Sequence, residues 1–495
     1  MSILLSELIR NYPCRLCGTG DPVITDVEYD SRKTVAGSLF FCMPGAVTDG
    51  HSYAGKVYEA GCRAFVVERV LDLPEDAVQV VVESSRAALA VLSAVFYGNP
   101  ADRLTLIGVG GTKGKTTTAI LIKEILCARG FRCAYIGSNG ITYLGRYFET
   151  VNTTPESREL HRHFLAMAEA GVTHVVMEVS SLAPCTHRVD GLTFDTVLFT
   201  NLGRDHIGPT EHASFEEYRD AKRRLYTDFG AKNVIWNADD PHGMYMVEGT
   251  DANRISYAIR NDADFRGSDL LPYRDSTSLG IDFAVAYEGE RTAVRLRTPG
   301  SFSIYNGLAA IAACTRYGVT VGGCADALRK ISITGRFEVV DAVPGATFLI
   351  DYAHNGLSLS TALRELRTYT PKRLICIFGT VGGRTQERRQ ELAEAASALA
   401  DYSIITSDNP NFEDPNAIID EIVSHMDKNA LYTTIADREE AVRFAVRIAE
   451  EGDILLFAGK GHETYQLIEG EKVPFSERTI ILSEAEKVRE KLVLL

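Results

Sequence analysis

Among 495 residues there is a single tryptophan and no surplus of basic charge. Nor does any apolar run approach the roughly 20 residues that a membrane helix requires, which excludes a helical span. Lys and Arg number 52 against 66 Asp and Glu, a formal charge of −14. That balance is a poor footprint for a nucleic-acid binder, although a local basic patch would still hold a small anion. Neither membrane nor nucleic acid is therefore expected as a partner. The first residues, Met1-Ser2-Ile3-Leu4-Leu5-Ser6-Glu7-Leu8, lack a basic segment and a small-residue cleavage site, so no export signal is read. Cys14-x-x-Cys17 has no second pair at zinc-ribbon spacing, and the 10 cysteines are scattered. Free thiols and a cytoplasmic location are the expectation. The length corresponds to about three domains, each able to bury its own core.

What is present is concentrated first at Gly108 to Thr118. Leu104-Thr105-Leu106-Ile107 is a short branched run that reads as a buried strand, and Ala119 to Arg129 carries apolar residues at helical spacing up to Gly130. Between them stands Gly110-Gly111-Thr112-Lys113-Gly114-Lys115-Thr116-Thr117. A strand, a glycine-rich turn and a helix start aim backbone N–H groups at one point, where the helix dipole also favours an anion. Lys115 is expected to meet the β/γ-phosphates of a nucleoside triphosphate, and Thr116 a Mg²⁺. The strict pattern has glycine where this chain has Val109.

Residues 1–100 read as a small mixed α/β unit whose loops, Asp30-Ser31-Arg32 and Gly45 to His51, combine glycine with Ser, Arg and His. Such loops serve either as an anion cradle or as plain turns. Gly98-Asn99-Pro100 marks a boundary. From 101 to 335, short buried strands (174–179, 196–202, 233–237) alternate with helices, which implies a parallel sheet covered on both faces. Ligands in such sheets lie beyond the carboxyl ends of the strands. There stand Glu178-Val179-Ser180-Ser181 and Asn201 to His206. A Ser214-x-x-Glu217 capping box opens a helix on which Lys222 shares the apolar stripe of Phe215, Tyr218, Leu225 and Phe229. By periodicity alone that lysine is expected to snorkel to water; otherwise it is a buried amine open to modification. Residues 336–495 repeat the alternation, with strands at 348–352, 374–378, 402–406 and 454–458, and helices near 358–368, 386–400, 415–428 and 437–450. This part reads as a Rossmann-like domain without a dinucleotide loop. The fold class is α/β in three domains: N-terminal mixed α/β, central P-loop-type parallel sheet, and C-terminal Rossmann-like.

In sequence order, the loops resemble those of the Mur ligase family, ATP-dependent amide-bond ligases of peptidoglycan synthesis. The resemblance rests on Gly111 to Thr117, Asn152-Thr153-Thr154-Pro155, Glu178 to Ser181, Asn201, Asp205-His206, Ala221-Lys222, Tyr305-Asn306, Gly335-Arg336, Asp351 to His354, Asp408-Asn409-Pro410, Asp437-Arg438 and Gly459 to Glu463. It implies that ATP phosphorylates a substrate carboxylate and that an incoming amine then attacks the acyl phosphate. By resemblance, Thr116 and Glu178 hold one Mg²⁺, and His206 with a carbamylated Lys222 holds a second. Gly111, Thr112, Lys113, Gly114, Lys115, Thr116 and Thr117 bind ATP, with Asn306, Arg336 and Asp351 at the adenine, phosphate and ribose. Ser31, Arg32 and His51 take the uridine diphosphate of UDP-N-acetylmuramoyl-L-alanyl-D-glutamate, while Thr153, Thr154, Ser180 and Arg188 take its muramoyl dipeptide. Arg384, Asp408, Asn409, Asn411, Gly459 and Glu463 bind the added amino acid. A monomer is expected.

Two departures bear on specificity. Leu182 stands where the family usually has His after Ser180-Ser181. Asn411 stands where members adding meso-diaminopimelate carry Arg, and a neutral amide lacks the charge-assisted fork for a second carboxylate. L-lysine is therefore the expected amine, with meso-diaminopimelate as the alternative. A folylpolyglutamate synthase shares the nucleotide loop but lacks the N-terminal uridine-nucleotide unit. A P-loop motor or switch leaves the C-terminal loops unexplained, and a non-catalytic nucleotide binder would not need Lys115, Thr116, Glu178, His206 and Lys222 together.

Overall fold

The computed structural model describes residues 1–45, 48–204, 207–208, 211–275, 278–383 and 386–493. It divides into two compact units, Met1–Arg266 with Leu308–Thr320, and Gly267–Gly307 with Val321–Leu495. No described helix is long and apolar enough to cross a membrane, and all ten cysteines are free thiols.

The first unit holds two larger sheets besides the short antiparallel pair Ile3–Leu4/Val23–Ile24. The N-terminal one orders Arg15–Cys17, Val78–Val81, Ala64–Val67, Ser38–Phe41 and Asp26–Glu28, parallel except for Arg15–Cys17. Its inner strands, Ser-Leu-Phe-Phe and Ala-Phe-Val-Val, are buried throughout, as strands covered on both faces must be. In the larger sheet, Cys133–Gly137, His174–Glu178, Thr105–Gly110, Thr196–Phe199, Asn233–Asn237 and Asn253–Ala258 run parallel side by side. The hairpin Gly140–Tyr143/Arg146–Phe148 extends one edge. Helix Ser157–Glu169 lays Leu160, Phe164 and Met167 against this sheet at spacings of four and three. Each such side chain contributes about 1.5–3 kcal/mol of burial.

In the second unit the sheet orders Glu338–Val340, Thr347–Asp351, Ile454–Ala458, Leu374–Phe378, Tyr402–Ile405 and Tyr432–Thr434, all parallel after the first pair. Leu374–Phe378 and Ile454–Ala458 carry five buried residues each. The chain order reverses beside Leu374–Phe378, and the polar loops that follow these strands open onto that crevice. Also here is the long antiparallel pair Leu279–Tyr287/Glu290–Leu296, in a stretch where sequence periodicity suggests only helices and parallel strands.

Candidate active site

Val109 is a fully buried strand residue in register with Glu178 and Leu198, so the turn starts only after it and the missing glycine has no role to fill. Gly111 takes φ +133°, and a Cβ there would lie 1.9 Å from Thr200 Oγ1. Gly114 takes φ +84° and caps helix Lys115–Ala128. The next strand's end clamps the turn. Asn201 accepts from Thr112 N at 2.8 Å through its carbonyl and from Lys113 N at 3.0 Å through Oδ1, and its amide donates to Lys113 O at 2.9 Å. Thr200 Oγ1 donates to the same carbonyl at 2.7 Å. Tyr218 OH stands 2.9 Å from the Thr112 hydroxyl.

Two lysines converge on this turn. Lys115 Nζ donates to Gly111 O at 2.9 Å and Thr112 O at 3.1 Å, and Lys222 Nζ donates to Gly111 O at 2.8 Å. Lys222 is 5% exposed, with its ammonium 4.7 Å from the centre of the Tyr218 ring. The snorkelling expectation is thus corrected: the helix Phe215–Thr227 points this amine inward, because a hydrogen-bonded carbonyl waits there. Thr116 is buried and Thr117 half-buried in the first turn of their helix. Glu178 ends the strand beside the turn's own strand and is 1% exposed, its Oε1 accepting from Tyr135 OH at 2.6 Å and Ser138 N at 3.0 Å.

A polar run leads away from Glu178. Thr154 Oγ1 donates to Glu178 O at 2.9 Å and accepts from Ser180 N at 3.0 Å, while Thr153 Oγ1 lies 3.0 Å from Ser138 Oγ. Arg188 donates to Thr154 O at 3.2 Å and to Glu156 at 3.0 Å. So Thr153, Thr154, Ser180 and Arg188 are brought together. Where Leu182 replaces the family's histidine, the buried His212 reaches Ser181 Oγ at 2.9 Å from elsewhere in the chain. Near Asn152, a cavity of about 420 Å³ is lined by Tyr29, Lys33, Glu156, Arg158 and His163.

The N-terminal candidates fare differently. Arg32 lies on an exposed turn, paired with Asp30 through two 2.8 Å hydrogen bonds, and Ser31 sits beside it. His51 is a correction. Its ring is fully enclosed, with Nε2 accepting from Glu68 N at 3.0 Å and Nδ1 2.6 Å from Asp49 Oδ1. One ring nitrogen thus serves its own loop and the other the residue that follows strand Ala64–Val67, which leaves neither open to a nucleotide in this structure.

In the second unit, Asp351 accepts from Phe337 N at 2.8 Å and burial raises its carboxyl pKa. The Arg336 guanidinium lies 4.9 Å over the Tyr352 ring, and its buried Nε has no hydrogen-bond partner. Asn306 is buried on helix Ser301–Thr315. At the sheet's carboxyl edge, Asn409 donates to Glu463 Oε2 at 3.0 Å. Lys460, absent from the expected set, is fully buried and donates to Glu463 Oε2 at 2.6 Å and Asn409 Oδ1 at 2.7 Å, with Asp408 at 3.5 Å. Burial raises the Asp408 carboxyl pKa and depresses that of His462 to about 4. Gly459 takes φ +109°, and a Cβ there would lie 2.9 Å from Asp408 Oδ2.

Asn411 is placed by the hairpin Tyr465–Ile468/Glu471–Pro474. Its N donates to Leu467 O at 2.9 Å, its O accepts from Glu469 N at 2.7 Å, and Oδ1 accepts from Gly470 N at 2.9 Å. The side chain thus caps a turn, a use that the expected contact with the amino acid does not foresee. His206 and Arg384 lie outside the described residues. Sequence reasoning gives Tyr135 and Tyr218 no site role and carries Asn201 and Lys460 only as members of loop motifs. Of these, only Asn201 and Lys460 carry a signal, each standing in a polar loop directly after a strand.

Residues 23–97 match the family model described as "Mur ligase family, catalytic domain", 109–314 the Mur ligase middle domain, and 335–461 the "Mur ligase, glutamate ligase domain". The UDP-N-acetylmuramoyl-L-alanyl-D-glutamate–2,6-diaminopimelate ligase of Geobacillus thermodenitrificans is 40% identical over 470 residues, covering 93% of this chain and 94% of that one. Its namesake from Caldanaerobacter subterraneus is 37% identical over 98% of this chain and 100% of its own. A solved ligase structure of the same name has TM-score 0.71 at 27% identity, covering 99% and 100%. Folylpolyglutamate synthase of Mycobacterium tuberculosis shares the fold at TM-score 0.60 and 15% identity, over 82% of this chain and 94% of its own. With relatives alike from end to end and three models matched in succession, the chain belongs to the Mur ligase family.

Proposed function

We propose that this ATP-dependent ligase joins 2,6-diaminopimelate to the glutamate carboxylate of UDP-N-acetylmuramoyl-L-alanyl-D-glutamate. The observation carrying the reading is the convergence of Lys115 and Lys222 on the Gly111 carbonyl, which brings a phosphate-binding cation and the lysine that would carry the carbamate to the turn where two oxyanions must meet. The acceptor carboxylate attacks the γ-phosphorus of ATP, ADP leaves, and the resulting acyl phosphate is opened by the amine with loss of phosphate. Lys115 holds the β/γ-phosphates, together with Gly111 to Thr117. Arg336 offers a buried, unpartnered donor for an anion, while Asn306 and Asp351 serve the adenine and ribose. Ser31, Arg32, Thr153, Thr154, Ser180 and Arg188 take the acceptor. Arg384, Asp408, Asn409, Gly459 and Glu463 take the amino acid. Residues 1–100, 101–335 and 336–495 are the working division into acceptor, ATP and amino-acid domains.

Mg²⁺ fits the donor set. Among the described residues no group of three or more His, Cys, Asp or Glu could hold a metal, but Mg²⁺ keeps several waters and needs only one or two carboxylates besides substrate phosphates. Thr116 and Glu178 would hold one ion, and His206 with the Lys222 carbamate another. When bound, the ions screen the repulsion between the two anionic reactants.

The expectation of L-lysine finds no support in these relatives, which are named for 2,6-diaminopimelate. It rested on the missing charge at Asn411, yet that side chain is engaged in capping a hairpin. Purified protein with ATP, Mg²⁺, the UDP-muramoyl dipeptide and either meso-diaminopimelate, L-lysine or L-ornithine decides the matter through ADP release and product mass. Product with meso-diaminopimelate is expected. Turnover with L-lysine alone would overturn the choice of amine, and ATP consumption indifferent to acceptor and amine would overturn the ligase chemistry for this site.

A further inference from the structure

The cluster at the carboxyl edge of the second unit's sheet has a charge count that the reading above does not use. Lys460 is 0% exposed and sits between two carboxylates, Glu463 at 2.6 Å and Asp408 at 3.5 Å. Behind it the buried Arg438 is neutralised by Glu477 at 2.7 Å. The remaining charged or titratable neighbours are Arg336, Tyr352, Tyr465 and His462, of which burial keeps His462 neutral at pH 7. Among the three groups in direct contact, Asp408, Glu463 and Lys460, two carboxylates meet one ammonium, so the trio carries one negative charge, and the further cation, Arg336, lies over the Tyr352 ring. A poorly compensated anion out of water is costly, and one ammonium group in contact with it offsets that cost.

We infer that Lys460 is a positioning residue for the incoming amine: it fixes Glu463 and Asn409 in place and sets the cluster's charge at minus one, so that the cluster accepts one ammonium group of a diamino acid. This rests on the assignment of Glu463 and Asn409 to the amino-acid site. The geometry supports it directly. The three N–H bonds of an ammonium have no preferred plane, and Lys460 spends two of them on Glu463 Oε2 and Asn409 Oδ1, with Asp408 Oδ1 at an ion-pair distance of 3.5 Å. Asn409 then has its amide turned toward Glu463 at 3.0 Å and its Oδ1 held a second time by Leu467 N at 2.9 Å. The carboxylate and amide are therefore locked before any ligand arrives, which lowers the ordering cost of binding.

The test is steady-state kinetics of Lys460→Met and Lys460→Gln on the full chain with ATP, Mg²⁺, the UDP-muramoyl dipeptide and meso-diaminopimelate. The KM for the amine is expected to rise about tenfold or more, while the KM values for ATP and the UDP-substrate stay within about twofold. Without the buried cation, Asp408 and Glu463 oppose each other's ionisation, so the acid limb of kcat/KM for the amine should move up by about one pH unit. The double variant Lys460→Met/Glu463→Gln should lose clearly less than the sum of the two single losses, since only the hold on Asn409 remains to be lost. Additive losses, an unmoved pH profile, or equal rises in all three KM values would each overturn the inference in favour of plain packing. Should neither variant fold, Glu463→Gln alone still decides. Neutralising its partner should leave the amine KM raised and the ATP KM unchanged, and an unaffected amine KM would sink the idea. A parent enzyme whose ATP use ignores every amine would instead remove the functional reading, and this inference with it.

Discussion

At the scale of single residues, the informative groups are those whose buried polar atoms are spoken for. Lys222 looks from its position on the apolar stripe like a snorkelling lysine, and it turns inward to the carbonyl of Gly111, 111 residues away, and to the Tyr218 ring. Periodicity reports which face a side chain is on but not what waits across a loop, so the motif rather than the spacing gives it away. Lys222→Ala is expected to abolish ligase turnover, and short carboxylates such as formate or acetate should restore a fraction of it by standing in for the carbamate. Unchanged turnover in that variant would remove the modified lysine from the chemistry. His51 shows the opposite case: a histidine in a glycine-rich loop reads as a ligand residue, yet its two nitrogens are taken by Asp49 beside it and by Glu68, 17 residues on. His161 gives a prediction with a sign. Burial depresses its pKa to about 4, whereas the unfolded chain protonates near 6.5. The unfolded state thus binds the extra proton between those values, so stability is complete above about pH 6.5 and declines as pH falls toward 4. At pH 5 the loss from this group is about 2 kcal/mol. Burial holds His163 and His462 at about 4 as well, so urea melts at pH 7 and pH 5 should show a loss larger than that, and His161→Leu should shrink it by about 2 kcal/mol.

At the scale of elements, caps and buried runs are local, and they read well. Leu374–Phe378 and Ile454–Ala458 fall where branched apolar runs put them. The capping box at Ser214 is half present: Ser214 Oγ accepts from Glu217 N at 3.1 Å, while the Glu217 carboxylate reaches back to Ala213 N at 3.0 Å, one residue before the cap. Ser214→Ala should cost about 1 kcal/mol of stability, measured as a lower urea midpoint, and should loosen the helix that carries Lys222. Antiparallel hairpins are what sequence conceals here. Leu144-Gly145, Glu288-Gly289 and Glu469-Gly470 each take two successive positive φ values, the signature of a type I′ turn. Their first residue is Leu or Glu rather than the usual Asn or Asp, so the turn signal is weak and the flanking strands go unannounced. Asn411 depends on the last of these. With φ +54° and three hydrogen bonds to the hairpin, it favours Asn over a β-branched or bulky residue. Asn411→Val should lower the melting temperature and the amine affinity together.

At the scale of the whole molecule, the order of the loops identified the family better than any one of them, because each strand end adds an independent constraint on the same chemistry. The added amine is legible only in part, since selectivity depends on a few contacts whose partners lie far apart in sequence. One further consequence follows from how the chain is threaded. The backbone passes from one unit to the other three times, at 266/267, 307/308 and 320/321, and the second passage falls inside the helix Ser301–Thr315. No single cut separates the halves. A truncation after residue 320 would strand 267–307 without the unit it belongs to, and a protease nick in one of the connections would leave two covalent tethers intact. Dissecting this ligase therefore calls for splicing the excursions out and rejoining the ends, rather than for trimming from either terminus.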